Sequence, residues 1–559
     1  MPKNNSGKNI RLNTVEENAK LFSFSVWFKS RWKVILVLVL LVCAAYFNSL
    51  NSEFVSDDTR SVLRNPALDK ASYVFGQSKI FLQSILHFFV NRIFGRVPIY
   101  YRLVNIFFHI AVVLVTYLFL SILISPRVAF FTAAIFAVHP IEAESVAWIS
   151  GGPYPQYTFF VMLALLFYLL SYKNKKLFKF SVLAFIVSLY SQDIAVVFPL
   201  VIFLFIISFG NLRKEWKRLI PFFVVLFIFL ALYIGRVGQR ITSFQTNFYQ
   251  ESALVNPLLK IPIAITSYLE LIFWPKGLTL YHSEMVFRLM EFIVRAALCV
   301  LFLALALYSF RKSRRVFFGL SLFVVSLSPT FTPFNITWVV AERYVYFGSI
   351  GIFIVVALLL GRLSENKRLK IFVNILFVLI LAALLTRTIF RNIDWKNEDN
   401  LYIATAETSP SSPNTYNNFG DVYGRRGDFE RAAEEFKKAI AMKPNYADAY
   451  HNLANVYQGM GRIDEAIENY KKALQYNPRL WQSYNNLGAI YFNRGDAVLA
   501  EESFKKAIEI DPSNPEPQKN LGVVYFLMDE REKARMQLRR ALELDPANET
   551  ARNYLQMLK

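Results

Sequence analysis

The chain has 559 residues, 55% of them hydrophobic, including 53 Phe and 29 Tyr. Soluble proteins average about 45–50% apolar residues, so this excess excludes an ordinary soluble enzyme and favours a bilayer as solvent. The formal charge is +21, but Lys and Arg gather in short clusters between apolar runs, which indicates membrane topology and excludes a nucleic-acid footprint. The two cysteines, Cys43 and Cys299, lie in apolar runs, which excludes a disulfide framework and a zinc site.

Apolar runs from about Trp32 to Phe390 predict an all-α, polytopic membrane domain over residues 33–391, after a cytoplasmic segment of residues 1–32. Val34–Leu50 continues past a cleavage-like Ala44-Ala45 pair, which favours a signal anchor that stays as the first span over a cleaved signal peptide. Runs that can cross a bilayer predict about eleven spans. They are residues 33–50, 102–124, 127–147, 156–172, 178–190, 194–209, 219–235, 291–310, 316–333, 344–361 and 370–390.

The basic clusters orient these spans. The clusters are the N-terminus, Lys173–Lys179, Arg213–Arg218, Arg311–Arg315 and Arg362–Lys370. All five fall on one side if the ambiguous run Pro257–Trp274 stays at the surface or re-enters the membrane. The positive-inside rule then predicts a cytoplasmic N-terminus and, because the span number is odd, an extracytoplasmic C-terminal third.

Polar residues at membrane depth or at span ends are candidates for function. Asp57 and Asp58 follow the first span, and adjacent carboxylates repel, which raises the pKa of one and makes it a better base. A solvated turn is the alternative. Three further groups lie on the same predicted outer side: His139, Glu142 and Glu144; Gln192 and Asp193; Glu342 and Arg343.

Each of these groups also has an explanation that involves no function. His139 and the two glutamates could bind a metal or position a hydroxyl, but no further metal ligand is evident, and a divalent cation stays open. Glu342 and Arg343 could neutralise each other, or the arginine could reach lipid headgroups. In the second span, Arg102, Asn105 and His109 share one helix face and are expected to point inward.

The last third of the chain repeats with a period of 34 residues. Prolines mark the period at Pro410, Pro444, Pro478, Pro512 and Pro546. The pattern of small, aromatic and proline positions is that of tetratricopeptide repeats, which predicts an α-solenoid of four repeats over residues 413–548, after a linker of residues 392–412 and before a capping segment of residues 549–559. Its concave surface is expected to bind a protein or peptide.

Asparagines recur on the first helices of these repeats. They are Asn417, Asn418, Asn452, Asn455, Asn485, Asn486 and Asn520. Amide side chains can clamp an extended backbone through hydrogen bonds, or they can solvate the surface between repeats. Both interpretations stay open.

The chain resembles the transmembrane and tetratricopeptide repeat-containing O-mannosyltransferases and, more broadly, the GT-C superfamily. The resemblance rests on the Asp-Asp pair followed by RNPAL, on Asn105 and His109, on HPIEAESVAWISG and on AERYVYFGS, in that order. The family often has Lys-Glu in place of Gln192-Asp193 and His in place of Arg102, and usually has an Arg-Pro pair that is missing from Gly76–Gln83.

The resemblance implies an enzyme that transfers a sugar from a polyprenyl-phosphate carrier to an extracytoplasmic acceptor with inversion. Asp57 or Asp58 would take the proton of the acceptor hydroxyl, and Arg343 and Arg60 would hold the leaving phosphate. The repeats would bring a protein acceptor to the site. The alternative is a non-catalytic membrane scaffold that displays repeats for assembly of envelope proteins.

Overall fold

The computed structural model describes residues 15–76, 80–232, 256–280, 282, 287–331 and 339–558, and no strand occurs among them. The predicted all-α class is confirmed. Two compact units divide the chain, the first ending at Thr408 and the second holding Ser409–Lys559. Residues 1–14 of the predicted N-terminal segment, 77–79 of the segment Gly76–Gln83, and the last residues of the predicted spans 219–235 and 316–333 lie outside the described residues.

Each predicted span overlaps one of the longer helices of the first unit, and three further helices of its described part, Phe81–Phe94, Pro257–Phe273 and Glu398–Thr408, lie outside the predicted spans. In chain order the longer helices are α1 Phe24–Tyr46, α2 Phe81–Phe94, α3 Pro98–Leu123, α4 Pro126–Val138, α5 Pro153–Leu170, α6 Leu177–Leu189, α7 Phe198–Phe209, α8 220–232, α9 Pro257–Phe273, α10 Leu289–Lys312, α11 Arg314–Leu327, α12 Tyr346–Leu363, α13 Lys367–Asp394 and α14 Glu398–Thr408.

Six helical segments in the described part of the chain are long and apolar enough to cross a membrane. They are Phe24–Asn51, Pro98–Leu123, Ile149–Leu170, Leu289–Lys312, Glu342–Leu363 and Lys367–Asp394. Three shorter apolar helices accompany them, at Pro126–Val138, Leu177–Leu189 and Asp193–Phe209. The chain is therefore a multi-pass membrane protein, and the count of eleven spans stays a prediction.

The predicted span 127–147 differs from the helix found there. Helix α4 ends at Val138, because His139 precedes a proline and adopts an extended backbone with φ −76° and ψ 129°. Short helical turns follow at Pro140–Glu142, Ala143–Ala147 and Ile149–Gly151. Residues 139–152 therefore form a compact, buried layer between α4 and α5 instead of a continuous helix.

Two glycines let α11 and α12 pack backbone to backbone. A Cβ at Gly351 would lie 2.3 Å from the Gly319 carbonyl oxygen, and one at Gly319 would lie 2.6 Å from the Gly351 carbonyl oxygen. Small residues at such crossings are the usual way for membrane helices to approach closely, because lipid supplies no hydrophobic drive.

The end of the first apolar helix is bound to the end of the last one. Asn392 of α13 donates to the Ala45 carbonyl at 2.8 Å and to the Asn48 side chain at 2.9 Å. The Glu53 backbone N–H then donates to the Lys396 carbonyl at 2.8 Å. The loop after α1 is therefore held by the residues that leave α13.

The second unit is the predicted array of tetratricopeptide repeats. Its helices are α15 Pro413–Arg425, α16 Phe429–Met442, α17 Ala447–Gly459, α18 Ile463–Tyr476, α19 Trp481–Asn493, α20 Ala497–Ile510, α21 Pro515–Leu527, α22 Arg531–Leu544 and α23 Glu549–Met557. The two helices of a repeat pack tightly, since a Cβ at Gly420 would lie 2.7 Å from the Phe436 ring. The segment predicted as a linker, 392–412, contains helix α14.

Candidate active site

The two acidic residues after α1 have different surroundings. Asp58 is fully buried, and its Oδ1 accepts hydrogen bonds from the Ser150 backbone N–H at 2.8 Å and from the Ser150 hydroxyl at 2.6 Å. Its Oδ2 accepts the Val55 N–H at 3.4 Å. Asp57 is exposed, and its carboxylate makes no hydrogen bond with the described residues. Asp58 therefore binds one loop to another, while Asp57 is free to meet a ligand.

A strained residue precedes this pair. Ser56 has φ +54°, in the left-handed region that residues other than glycine rarely adopt. Such strain persists only where the surroundings over-determine the backbone, and it is concentrated at functional sites. The three hydrogen bonds to Asp58 supply that restraint, so the turn that presents Asp57 is fixed.

Burial raises the pKa of Asp58 from its usual 3.8 to about 6, and the hydrogen bonds from Ser150 and the charge of Arg102 oppose the rise. From the sequence, repulsion between the adjacent carboxylates is expected to raise one pKa in this pair. That cause is wrong for Asp58, since loss of solvent is the dominant one.

Arg102 of α3 is fully buried, and its donors are directed at backbone carbonyls. Its Nε donates to the Ala147 carbonyl at 3.0 Å, and its two terminal nitrogens donate to the carbonyls of Ser52 and Glu53. A guanidinium can hold three carbonyls at once because its donors lie in one rigid plane. The contacts join the loop after α1 to the layer of residues 139–152.

Asn105, one helical turn further along α3, supports the same layer. Its amide donates to the Trp148 carbonyl at 2.9 Å and to the Ile149 carbonyl at 3.3 Å. Gly152 makes this approach possible, since a Cβ there would lie 2.2 Å from the Asn105 Oδ1 and 2.9 Å from the Gln83 Oε1.

Gln83 belongs to a chain of buried polar side chains that was not predicted from the sequence. Its amide nitrogen donates to the Ile149 carbonyl at 3.2 Å and lies 2.7 Å from the His87 Nε2, and its Oε1 accepts from Gln156. Burial lowers the pKa of His87 from 6.5 to about 3, so its ring is neutral and its Nε2 can accept from Gln83. Helix α2 is thus attached to the layer that holds Asp58.

Glu144 and Arg343 form an ion pair across the unit. The Glu144 carboxylate accepts from the Arg343 guanidinium and, at 2.8 Å, from the Arg343 backbone N–H. The guanidinium carbon lies 5.6 Å from the centroid of the Trp148 ring. The Glu144 side chain is 1% exposed and that of Arg343 is 15% exposed, so a part of the guanidinium reaches solvent.

Glu342, next to Arg343, is fully buried in a second ion pair. Its Oε1 accepts from Arg391 of α13 at 2.9 Å and from the Thr279 backbone N–H at 2.6 Å. Arg391 also donates to Asp394 at 2.9 Å. The short helical turn Glu342–Val345, which carries Arg343, is therefore held by Glu144 on one side and by Thr279 and Arg391 on the other.

The remaining buried residues of the predicted site have partners inside the protein. His109 lies 2.5 Å from the Tyr346 hydroxyl, and His139 lies 2.9 Å from the Ile272 carbonyl oxygen. Glu142 accepts from the Ser349 hydroxyl at 2.7 Å, and its Oε2 has no partner in the described part of the chain.

Three polar residues lie at less buried positions. Gln192 accepts the Asp193 backbone N–H at 3.0 Å, and both side chains are half-buried. Arg60 is exposed on the turn Thr59–Leu63 that follows the acidic pair, and its guanidinium makes no contact recorded among the described residues. No group of three or more His, Cys, Asp or Glu in the described ranges is placed to hold a metal ion.

The described residues include an exposed carboxylate on a rigid turn after α1 and a partly exposed arginine just before α12, and both turns contact the layer of residues 139–152. Two residues of this arrangement were not predicted from the sequence: Ser150, which fixes Asp58, and Arg391, which fixes Glu342. Arg391 and Gln156 both lie within apolar helices, so the cost of polar groups at membrane depth is the signal that could have found them.

Family models match the second unit. A model described as "TPR repeat" matches residues 420–461, and models described as "Tetratricopeptide repeat" match 447–480, 481–514 and 520–548. Similar solved structures include MamA, 24% identical with a TM-score of 0.25 over 27% of this chain and 89% of that one. TTC0263 of Thermus thermophilus is also 24% identical, with a TM-score of 0.26 over 29% of this chain and 90% of that one.

Relatives also match across most of the chain, and they confirm the predicted resemblance. The protein O-mannosyl-transferase F38B6.6 of Caenorhabditis elegans is 24% identical over 450 residues, covering 74% of this chain and 63% of that protein. The human protein O-mannosyl-transferase TMTC3 is 24% identical over 477 residues, covering 74% and 52%. Tmtc2 of Drosophila melanogaster is 36% identical over 115 residues, or 20% of this chain and 12% of that protein. The chain thus spans between half and two thirds of the length of the first and second of these.

Proposed function

We propose that this chain is a membrane glycosyltransferase that moves a sugar, mannose by analogy with the names of its relatives, from a polyprenyl-phosphate carrier to a hydroxyl of a protein. The observation that carries the proposal is that Asp57 is exposed on a strained turn. The buried contact between Asp58 and Ser150 holds this turn in place. The 24% identity to proteins named protein O-mannosyl-transferase supports the choice of reaction.

In the proposed reaction Asp57 is the general base. It accepts the proton of the acceptor hydroxyl while the hydroxyl oxygen forms a bond to the anomeric carbon. The bond from that carbon to the phosphate oxygen breaks, and the polyprenyl phosphate leaves with the bonding electrons, so the configuration inverts. Asp58 is the positioning residue, because both of its oxygens are already engaged by the protein.

Cations near the leaving phosphate would supply the electrostatic stabilisation of the transition state. Arg102 and Arg391 are unsuited to that role, since both are buried and their terminal nitrogens are committed to carbonyls and carboxylates. Arg343 is partly exposed and uses one nitrogen of its guanidinium on Glu144, and Arg60 is exposed. We therefore assign the phosphate to Arg343 and Arg60.

The repeat array is proposed to bind the protein acceptor on its concave face and so to raise the acceptor's local concentration. The basic clusters put the N-terminus in the cytoplasm, and an odd number of spans then puts the array outside the cytoplasm. Protease treatment of sealed vesicles of known orientation tests this: cleavage of the array from the cytoplasmic side contradicts the proposed topology.

The test of the reaction compares Asp57→Asn, Asp58→Asn and the double variant in the intact protein. Each is assayed for transfer from a synthetic polyprenyl-phosphate mannose to a Ser/Thr-rich peptide. Loss of a general base costs about 10²–10⁴ in rate, so Asp57→Asn should retain at most about 1% of the transfer.

Glu53→Gln is the matched control, because Glu53 is an exposed acid of the same loop whose contacts with Arg102 and Lys396 use its backbone. It should keep the wild-type rate. Transfer that persists in Asp57→Asn contradicts the assignment of Asp57 as the general base, and transfer that persists in the double variant excludes both acids. If the wild-type protein transfers no sugar but binds other envelope proteins, the alternative of a non-catalytic membrane scaffold is favoured.

A further inference from the structure

The second helix of the fourth repeat, α22, differs in charge from the second helices of the other three repeats. It carries five basic and two acidic residues, a net charge of +3, whereas α16, α18 and α20 have net charges of 0, −1 and −1. All four helices have 14 residues and the same place in their repeats. The fold of the array therefore does not require the excess of positive charge in α22.

Met536 is the clearest departure from the pattern of the repeats. In the other three repeats the corresponding residue is a glutamate, and all four positions are exposed. In the second repeat Glu468 forms an ion pair with Lys472 at 2.6 Å, one turn further along the helix. Methionine cannot form this pair with Arg540, and the Met536 side chain is 60% exposed. The glutamates are Glu434, Glu468 and Glu502.

Two arginines follow Met536 on the same side of α22, at spacings of three and four residues. Arg539 forms no ion pair or hydrogen bond with the described residues. Arg540 pairs with Glu543 at 2.8 Å, but both side chains are more than half exposed, and such a pair contributes little. Met536, Arg539 and Arg540 are called the basic face of α22 here.

This combination of side chains suits an anionic lipid surface. Arginine binds phosphate oxygens, while its aliphatic stem and a neighbouring methionine can enter the apolar part of the membrane interface. Leu527, at the end of α21 where the chain turns into α22, is also 60% exposed. An acidic peptide would use the positive charge and gain nothing from the apolar side chains, so lipid is the better match.

The covalent structure keeps a bilayer close to the array. Residues 395–412 connect α13, which is long and apolar enough to cross a membrane, to α15, the first helix of the array. A surface attached through a short connection is present at high effective concentration, so that even a weak contact is populated. Residues 409–559 hold 21 basic and 21 acidic residues, so attraction to anionic lipid must come from a local excess of charge.

We propose that the basic face of α22 binds the phosphate groups of an anionic membrane leaflet and so holds the fourth repeat at the bilayer. The contact is reversible, because salt screens the attraction between exposed charges. It uses none of the residues assigned to sugar transfer, and it forms whether or not a sugar donor is present.

The test uses the full-length protein in nanodiscs of phosphatidylcholine, with or without phosphatidylglycerol. Cys43→Ser and Cys299→Ser remove the native thiols, and Met536→Cys carries a fluorescent dye that a nitroxide on the lipid headgroup quenches. Glu468→Cys is the matched control, because residue 468 is the exposed counterpart of residue 536 in the second repeat. The dye at position 536 should be quenched more strongly when phosphatidylglycerol is present, and the dye at position 468 should be unaffected by it.

Reversing the charge of the basic face should release the fourth repeat from the bilayer. Each basic residue near an anionic surface strengthens binding about fivefold, so Arg539→Glu/Arg540→Glu should weaken the contact by at least about 25-fold. Lys471→Glu/Lys472→Glu changes the corresponding residues of the second repeat and should leave the quenching at position 536 unchanged. Arg539→Lys/Arg540→Lys keeps the charge and should retain the quenching. Thermal unfolding of all three should match that of the parent protein, since the changed side chains lie on the surface of the array.

Equal quenching with and without phosphatidylglycerol overturns the proposal, as does quenching that survives the charge reversal. An acidic protein partner is the competing outcome: a glutamate-rich peptide then shifts the emission of the dye at position 536, while lipid does not quench it. The assay is repeated with Asp57→Asn, where the quenching should be unchanged. Failure of the transferase proposal and failure of the proposed lipid contact therefore give different results.

Discussion

The Arg343 guanidinium and the Glu144 carboxylate form an ion pair that joins segments 199 residues apart, and the same carboxylate accepts the Arg343 backbone N–H at 2.8 Å. Both carboxylate oxygens are therefore occupied by one residue. The guanidinium is held over the Trp148 ring and keeps a partly exposed edge. Its orientation is determined before any ligand arrives.

Replacing Glu144 by Gln should lower both stability and transfer. Removing one partner of a buried ion pair costs about 3–5 kcal/mol, because the other charge is left uncompensated. The double variant Glu144→Gln/Arg343→Gln should lose less stability than the two single losses combined. Glu270→Gln breaks the more exposed pair with Arg295 and should change stability by about 1 kcal/mol or less. Thermal unfolding in detergent measures the stability of Glu144→Gln, Arg343→Gln, the double variant and Glu270→Gln. If the double variant loses the sum of the two single losses, the two side chains are not coupled.

Gly152→Ala should disrupt the layer between α4 and α5. The new methyl group would lie 2.2 Å from the Asn105 Oδ1, so Asn105 must move away from the carbonyls it holds. Overpacking of this kind costs about 1–3 kcal/mol. Gly277→Ala is the control, since no atom of the described residues lies within 4 Å of a Cβ there. Unfolding temperature and transfer rate should both fall in the first variant and stay unchanged in the second.

The transfer rate should fall as the pH drops through about 6. The pKa of Asp58 is about 6, and the protonated acid can no longer accept all three hydrogen bonds that hold the turn. Because the pKa is raised above the usual 3.8, the folded protein binds this proton more tightly than the unfolded chain, so protonation between pH 6 and 4 favours folding. The rate should therefore fall while the protein stays folded. A flat rate from pH 7.5 to 5 contradicts this role for Asp58.

Arg102→Lys should loosen the loop after α1. Lysine presents one nitrogen in place of a planar fork, so it cannot reach the carbonyls of Ala147, Ser52 and Glu53 together. A lost hydrogen bond to a charged group costs about 1.5–3 kcal/mol. Hydrogen exchange of residues 52–56 should accelerate. Arg127→Lys, which removes a single contact with Ser364 at 3.2 Å, should leave that exchange unchanged.

The helices and repeats could be predicted because their signals are local. A period of 34 fixed the repeats, and apolar runs located α3 and α12 within about four residues of their ends. The break after Val138 was missed because the apolar run continues through Pro140, whose missing N–H and effect on His139 outweigh hydrophobicity.

The roles of the polar residues could not be predicted, because they depend on partners far away in the chain. From the sequence, Arg102 is expected to point inward from the second span and Arg343 to hold the leaving phosphate. Contacts 45–50 residues away commit the first to backbone carbonyls, whereas the second keeps part of its guanidinium exposed. Asp57 and Asp58 are neighbours with the same side chain, and the contact with Ser150, 92 residues later, makes one of them structural.

The hydrogen bonds from Asn392 to Ala45 and Asn48 also determine when, during synthesis, the contacts of the loop after α1 can form. The partners are 347 and 344 residues apart, so at about 5–20 residues per second the end of α1 waits roughly 20–70 s for its counterpart to be made. Throughout that interval the Glu53 N–H lacks the Lys396 carbonyl, and the loop with Asp57 is incomplete. A nascent chain released before α13 would hold every proposed catalytic residue and still be unable to close the site.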